Sequence, residues 1–133
     1  MTAFGDRIDE LVDRARRDRA AFEPPAEPPD EDAALEYLIE GAGVAVGLYI
    51  EARTGDMVRF DEDEFARLER ALNDWLELYA ACYGVELETA FSVREAAEVL
   101  IETQNIRDAA TLLTQIPDRD AAQQWDQPGQ SDT

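Results

Sequence analysis

Residues 61–84 read DEDEFARLERALNDWLELYAACYG, and their periodicity decides the fold class. Phe65, Leu68, Leu72, Trp75, Leu76, Tyr79, Cys82 and Tyr83 recur at three- and four-residue intervals, which gathers apolar side chains on one face of an α-helix. Asp61 stands where an N-cap accepts a backbone N–H, Glu64 three residues on completes a capping-box variant, and Gly84 closes the run. A helix with so long an apolar face has to bury it against other elements.

The flanking sequence supplies those elements. Ile8, Leu11, Val12 and Ala15 fall on one helical face, predicting a helix over about residues 4–21. Its other face carries Glu10 with Arg14 and Asp13 with Arg17, acid before base at the favoured four-residue spacing. Residues 23–30, EPPAEPPD, cannot be helix interior, because each proline removes a donor and restrains its predecessor; a stiff, extended linker is expected. A second helix is expected from Asp30 or Asp32 through Leu35, Leu38, Ile39, Ala42, Val46 and Tyr49, with Gly55 as its C′ residue. Its second half is apolar nearly all round, which predicts the most buried helix. Met57 to Phe60 reads as briefly extended. Ser92 and Glu95 form a capping box opening a fourth helix with Val93, Ala96, Ala97, Leu100 and Ile101 inward. Asn105 caps a fifth, carrying Ala109, Leu112, Leu113 and Ile116, which Pro117 ends.

The expected architecture is therefore all-α: a small bundle of about five helices with a proline-rich linker after the first. Residues 1–22 form the N-terminal amphipathic helix, 23–30 the linker, 31–117 the helical core, and 118–133 a polar tail expected to be disordered. A chain of 133 residues with 45% hydrophobic content builds one modest core.

Charge is the strongest compositional signal. Asp and Glu number 31 against 12 basic residues, a net charge of −19, and all the basic residues are Arg. Carboxylates hold water and hydrated cations, whereas the apolar stem of Lys favours association in high salt. The pattern reads as halophilic adaptation, with salt cations at the acidic surface. Net acidity argues against nucleic-acid binding through the phosphate backbone, although salt-adapted binders can be acidic overall. Met1 to Arg14 lacks a cationic start followed by an apolar stretch, so no secretory signal is expected. Gly41 to Ile50 falls far short of the roughly 20 residues of a membrane helix. A single cysteine, Cys82, agrees with a reducing cytoplasm.

Absent residue types remove whole chemistries. Without His there is no Ser-His-Asp or Cys-His arrangement and no His-based zinc or di-iron motif. Without Lys there is neither a Walker A loop nor a Schiff base with a pyridoxal cofactor. Gly41, Gly43 and Gly47 lack dinucleotide-loop spacing and lie within a predicted helix, where Gly43 and Gly47 share a face suited to close packing. Glu95, Glu98 and Glu102 share the polar face of the fourth helix. Such carboxylates can hold Mg²⁺ in all-α nucleotide hydrolases, but a solvated face is what this composition yields by itself. The aromatic stripe is read as core, and Cys82, with no cation beside it, as a small buried hydrophobe. The helix pair from Ser92 to Ile116 has helix-turn-helix length, with Arg107, Thr111, Thr114 and Gln115 as the polar set of its second helix.

Arg14, Arg16, Arg17 and Arg19 form the one basic concentration, and are the candidate docking residues for an acidic partner or a phosphate. They also complement the helix dipole. No catalytic, cofactor-binding or metal-ligating residue is assigned. Asn73 to Val85 and Val93 to Leu100 resemble a family of short acidic haloarchaeal proteins of unknown function. The resemblance spans roughly residues 4–117, implies salt adaptation, and transfers no catalytic residues. The functional expectation is a non-enzymatic interaction or regulatory protein whose partner is a protein, itself or another. The alternatives are a DNA-binding regulator through residues 92–116 and a Mg²⁺-dependent hydrolase.

At about 0.1 M salt the Debye length is about 10 Å, and at 1 M it falls to about 3 Å, so self-repulsion fades as salt rises. Helicity by circular dichroism is expected to be higher in molar KCl than in dilute buffer; equal helicity in both would refute the salt adaptation.

Overall fold

A computed structural model describes residues 4–55 and 59–116. Five helices stand among them, with no strand: α1 (Gly5–Ala21), α2 (Glu31–Thr54), α3 (Glu62–Cys82), α4 (Val93–Thr103) and α5 (Ile106–Thr114). The expected extension at Met57 and Val58, the stop at Pro117 and the tail 118–133 lie outside the described residues.

Side-chain caps start four of these helices. Asp30 accepts from the Ala33 N–H, Ser92 from Glu95, and Asn105 from both Arg107 and Asp108. At Asp61 both halves of the capping box form with Glu64. α3 ends in a Schellman turn: the Gly84 and Val85 N–H groups return to the Ala81 and Ala80 carbonyls. Gly84 has φ +79°, a left-handed conformation in which a side chain would be strained. α2 ends differently from expectation. Gly55 is the C-cap with φ −88°, its N–H still bonded to Glu51 in helical fashion, so the left-handed turn expected of it is not there.

α3 is the axis of the bundle, and Ala71 to Leu76 is an unbroken buried run. It displaces α2 as the most buried helix, because α2 leaves Ile39, Val44 and Gly47 facing solvent. The reason lies in α2 itself. Leu38–Ala42 forms a π-helical turn. The wider turn adds a residue to the helical register and rotates the remainder of the helix, so extrapolating one α-period through it puts Ile39 on the wrong side. The same turn corrects the glycine reading. Gly47 has open space beside it, whereas Gly41 is the close approach: a Cβ there would lie 2.4 Å from the Trp75 indole. α2 is long and apolar enough to cross a membrane by length and composition, but it packs Leu38, Ala42, Ala45, Val46 and Tyr49 into this core.

α1 packs along α3, burying Phe4, Ile8, Leu11 and Ala15. Phe4 meets Phe60 at 5.8 Å, Phe60 meets Phe65 at 5.5 Å, and Tyr49 closes the aromatic cluster at 6.1 Å from Phe65. The linker is not extended throughout. It bends at residues 26–28, and the Asp30 N–H reaches the Cys82 carbonyl at 2.8 Å. α4 and α5 pack as a hairpin, but Ile101 and Leu112, expected inside, are 59% and 58% exposed. Small Ala96, Ala97, Ala109 and Ala110 take the inner positions, so the helices sit too close for the larger side chains.

Replacing Gly41 with alanine should overpack the Trp75 contact and cost about 1–3 kcal/mol, whereas Gly47→Ala should gain up to ~1 kcal/mol. Urea unfolding in molar KCl measures both, and a G41A chain as stable as the parent would rule out the contact described.

Candidate functional site

The four candidate arginines of α1, Arg14, Arg16, Arg17 and Arg19, separate into two groups once folded. Arg14 Nη2 donates to the Glu40 carbonyl at 2.5 Å, and its guanidinium lies 5.6 Å from the Trp75 ring. Arg19 Nη1 reaches Glu77 at 2.6 Å and Asp74 at 3.2 Å. Both side chains are thereby tied to neighbouring helices, Arg14 half-buried and Arg19 still exposed. Arg16, with 76% of its side chain exposed, has only a loose pair with Asp13 at 4.0 Å, and Arg17 is exposed. Other pairs add to the seam along α1, namely Arg7 with Glu51 at 3.2 Å and Asp9 with Arg67.

The fold brings a further arginine to this face. Arg70 of α3 joins Arg16 and Arg19 around an open depression of about 550 Å³, bordered also by Val12, Ala20, Asp74 and Glu77. Arg70 is exposed and makes no close ion pair among the described residues, although its charge, like that of Arg19, acts on Asp74 one turn on. Sequence reasoning missed it because it lies about fifty residues from the α1 cluster, in a helix whose only other arginine is Arg67. Burial pushes the Asp74 carboxyl above its ordinary range, against the pull of Arg19. The hydrogen bond to Glu77 holds the Arg19 guanidinium still more firmly protonated.

Other shifted groups serve the core. Burial pushes Tyr79 up to about 12, and its hydroxyl donates to the Ile116 carbonyl at 2.6 Å. Burial likewise pushes the Cys82 thiol up to about 11, which keeps it protonated and unreactive. Trp75 and Tyr79 are buried and Phe65 and Tyr83 half-buried, as a core stripe requires. Glu95, Glu98 and Glu102 face solvent, with Glu98 paired to Arg94 at 3.6 Å. Among the described residues, no three His, Cys, Asp or Glu side chains lie close enough together to hold a metal ion. In the helix pair, Thr114 is buried with its hydroxyl on the Ala110 carbonyl, and Thr111 faces the Tyr79 hydroxyl. Arg107 borders a small cavity beside Glu31 and Asp32. Of the polar set of this helix, Thr114 is thus turned inward and Thr111 half-buried, while Arg107 and Gln115 are exposed together with Leu112.

A second polar arrangement runs along α3. Glu69, Asn73 and Glu77, four residues apart, accept the backbone N–H groups of Val93, Phe91 and Thr89, two residues apart, at 2.9–3.0 Å. Asn73 Nδ2 also donates to the Phe91 carbonyl at 2.9 Å. Four helical residues rise about 6 Å and two extended residues about 6.6 Å, so the two spacings match. The helix thereby stands in for a neighbouring strand along residues 89–93. The signal in the sequence was an acceptor every fourth residue beside a heavily apolar face.

Asn73→Ala would strand both Phe91 backbone groups and is expected to cost about 2 kcal/mol. Asn73→Asp, which retains the acceptor but not the donor, should fall between the two in chemical denaturation. A neutral Asn73→Ala would mean that the ladder carries no stability.

A family model described as a domain of unknown function (DUF8055) matches residues 2–118. No curated protein and no solved structure matches the chain.

Proposed function

The chain belongs to the DUF8055 family, and from that footing we propose a non-enzymatic interaction or regulatory protein of a salt-rich, reducing cytoplasm. Its partner on this reading is an acidic protein segment docking on the arginine face of α1. The finer resemblance, to short acidic haloarchaeal proteins, belongs to the same proposal and rests on Asn73 to Val85 and Val93 to Leu100, with the Lys-free composition and the charge of −19 supporting salt adaptation.

The observation that carries the docking reading is the meeting of Arg16 and Arg70, from two helices, on one open depression of a strongly acidic chain. Guanidinium groups are weakly hydrated and fork-shaped, so they can bind carboxylates where salt screens long-range attraction. The non-enzymatic reading draws support from the shifted groups. Asp74 borders the open depression but is bonded to Arg19, the Tyr79 hydroxyl is bonded to the Ile116 carbonyl, and Cys82 is buried.

The test is capture of the tagged full chain from nuclease-treated, salt-matched host lysate in about 2 M KCl, where charge contacts beyond about 3 Å are screened. A stoichiometric acidic partner is expected, with recovery at least tenfold lower for Arg16→Glu combined with Arg70→Glu. Circular dichroism checks that this surface variant keeps its helicity. A chain that purifies alone, or a partner indifferent to both charges, overturns the proposal.

A further inference from the structure

We propose that the outer edge of residues 86–90 is a docking strand for an extended basic segment of a partner protein. The cleft beside this edge shares Arg19, Arg70 and Glu77 with the arginine depression, but the argument rests on the backbone edge and its glutamates and does not depend on the proposal above.

Residues 85–91 alternate between half-buried and exposed: Val85, Leu87, Thr89 and Phe91 are half-buried, while Glu86, Glu88 and Ala90 are exposed. This two-residue period, together with N–H bonds to α3 from Thr89, Phe91 and Val93, defines an extended run. In such a run, the N–H and C=O groups of alternate residues point to opposite sides. Thr89 and Phe91 direct theirs at Glu77 and Asn73. Glu86, Glu88 and Ala90 therefore direct theirs away from α3, and their backbone groups make no hydrogen bond among the described residues. A row of free donors and acceptors on an extended segment held at its other edge is a template for strand addition.

Charge selects the occupant. Glu86 and Glu88 make no ion pair among the described residues. Antiparallel pairing of two copies centred on Glu88 would set that carboxylate against its own equivalent, and like charges directly opposite are unfavourable. A strand with Lys or Arg opposite these positions gains cross-strand pairs in addition to the backbone ladder. Alongside the run lies a cleft of about 760 Å³ whose wall joins Arg19, Arg70 and Glu77 to Phe22, Leu78 and Leu87, and its apolar part would receive the apolar residues of the incoming strand.

Amide hydrogen exchange on the full chain tests this, with a blocked heptapeptide alternating valine with lysine as the probe. Saturating peptide should slow exchange at Glu86, Glu88 and Ala90 at least tenfold while leaving Thr89 and Phe91 unchanged. The glutamate counterpart should bind at least tenfold more weakly, and Glu86→Lys with Glu88→Lys should reverse that preference. Ala90→Pro should abolish binding, since it removes a ladder donor at an exposed position. Arg16→Glu, at a residue that borders the arginine depression but not this cleft, should leave peptide binding intact, which separates this surface from the arginine face. Unchanged exchange at the three amides, or equal binding of both peptides, overturns the proposal. So does protection that grows with protein concentration in the absence of peptide, which would identify the occupant as a second copy.

Discussion

Trp75 seated on Gly41 fixes how α1, α2 and α3 meet. The indole is fully buried, and burying 150–250 Å² of aromatic surface at about 25 cal/mol per Å² supplies about 4–6 kcal/mol. That burial is available only because Gly41 offers bare backbone to the ring, with Gly41 placed there by the π-helical turn of α2. The ring also needs its one polar atom satisfied. Asp18 of α1 accepts from Trp75 Nε1 at 2.8 Å, and Arg14 covers the ring while bonding the Glu40 carbonyl within the same π turn. One side chain of α3 thus sets the depth of α2 and the register of α1, and the other seam contacts follow from that placement.

The charges of α1 act as fasteners in this arrangement. A net charge of −19 leaves few cations to compensate carboxylates, and the fold places several at helix seams: Arg7 on Glu51, Arg67 on Asp9, and Arg19 on Asp74 and Glu77. Exposed pairs of this kind contribute about 0–1 kcal/mol each. Their value is more orientational than cohesive, since the aliphatic face of α1 supplies the burial and the ion pairs choose its angle. Glu77 has two duties, holding Arg19 with one carboxylate oxygen and the Thr89 N–H with the other. The seam of α1 and the anchoring of the extended run are therefore coupled through one residue, and a partner at either surface would act on the same carboxylate.

Much of the fold was legible in the sequence. The helical period named α3, and Asp30, Asp61, Ser92 and Asn105 marked four helix starts, because a capping side chain acts on N–H groups within three residues of itself. The candidate site was legible in part. The basic run on α1 stood out, but its division into Arg14 and Arg19, bonded to α2 and α3, and Arg16 and Arg17, left without such bonds, depended on which carboxylates and carbonyls those helices brought alongside. Ile101 and Leu112 were misplaced because periodicity ranks faces by hydrophobicity, whereas the close α4–α5 hairpin admitted alanines in their stead.

The sequence by itself determined the all-α class, the helix starts, the acidic and Lys-free charge balance and the enzyme chemistries that a chain without His or Lys cannot perform. These follow from composition and from interactions within a few residues. Tertiary structure alone decided the π turn at Leu38–Ala42, the seat of Trp75 on Gly41, the arrival of Arg70 beside Arg16, and the ladder from Glu69, Asn73 and Glu77 to residues 89–93. Each joins residues far apart in the chain, or depends on a contact that does. Whether such groups meet is set by the packing of whole helices, which no local period encodes.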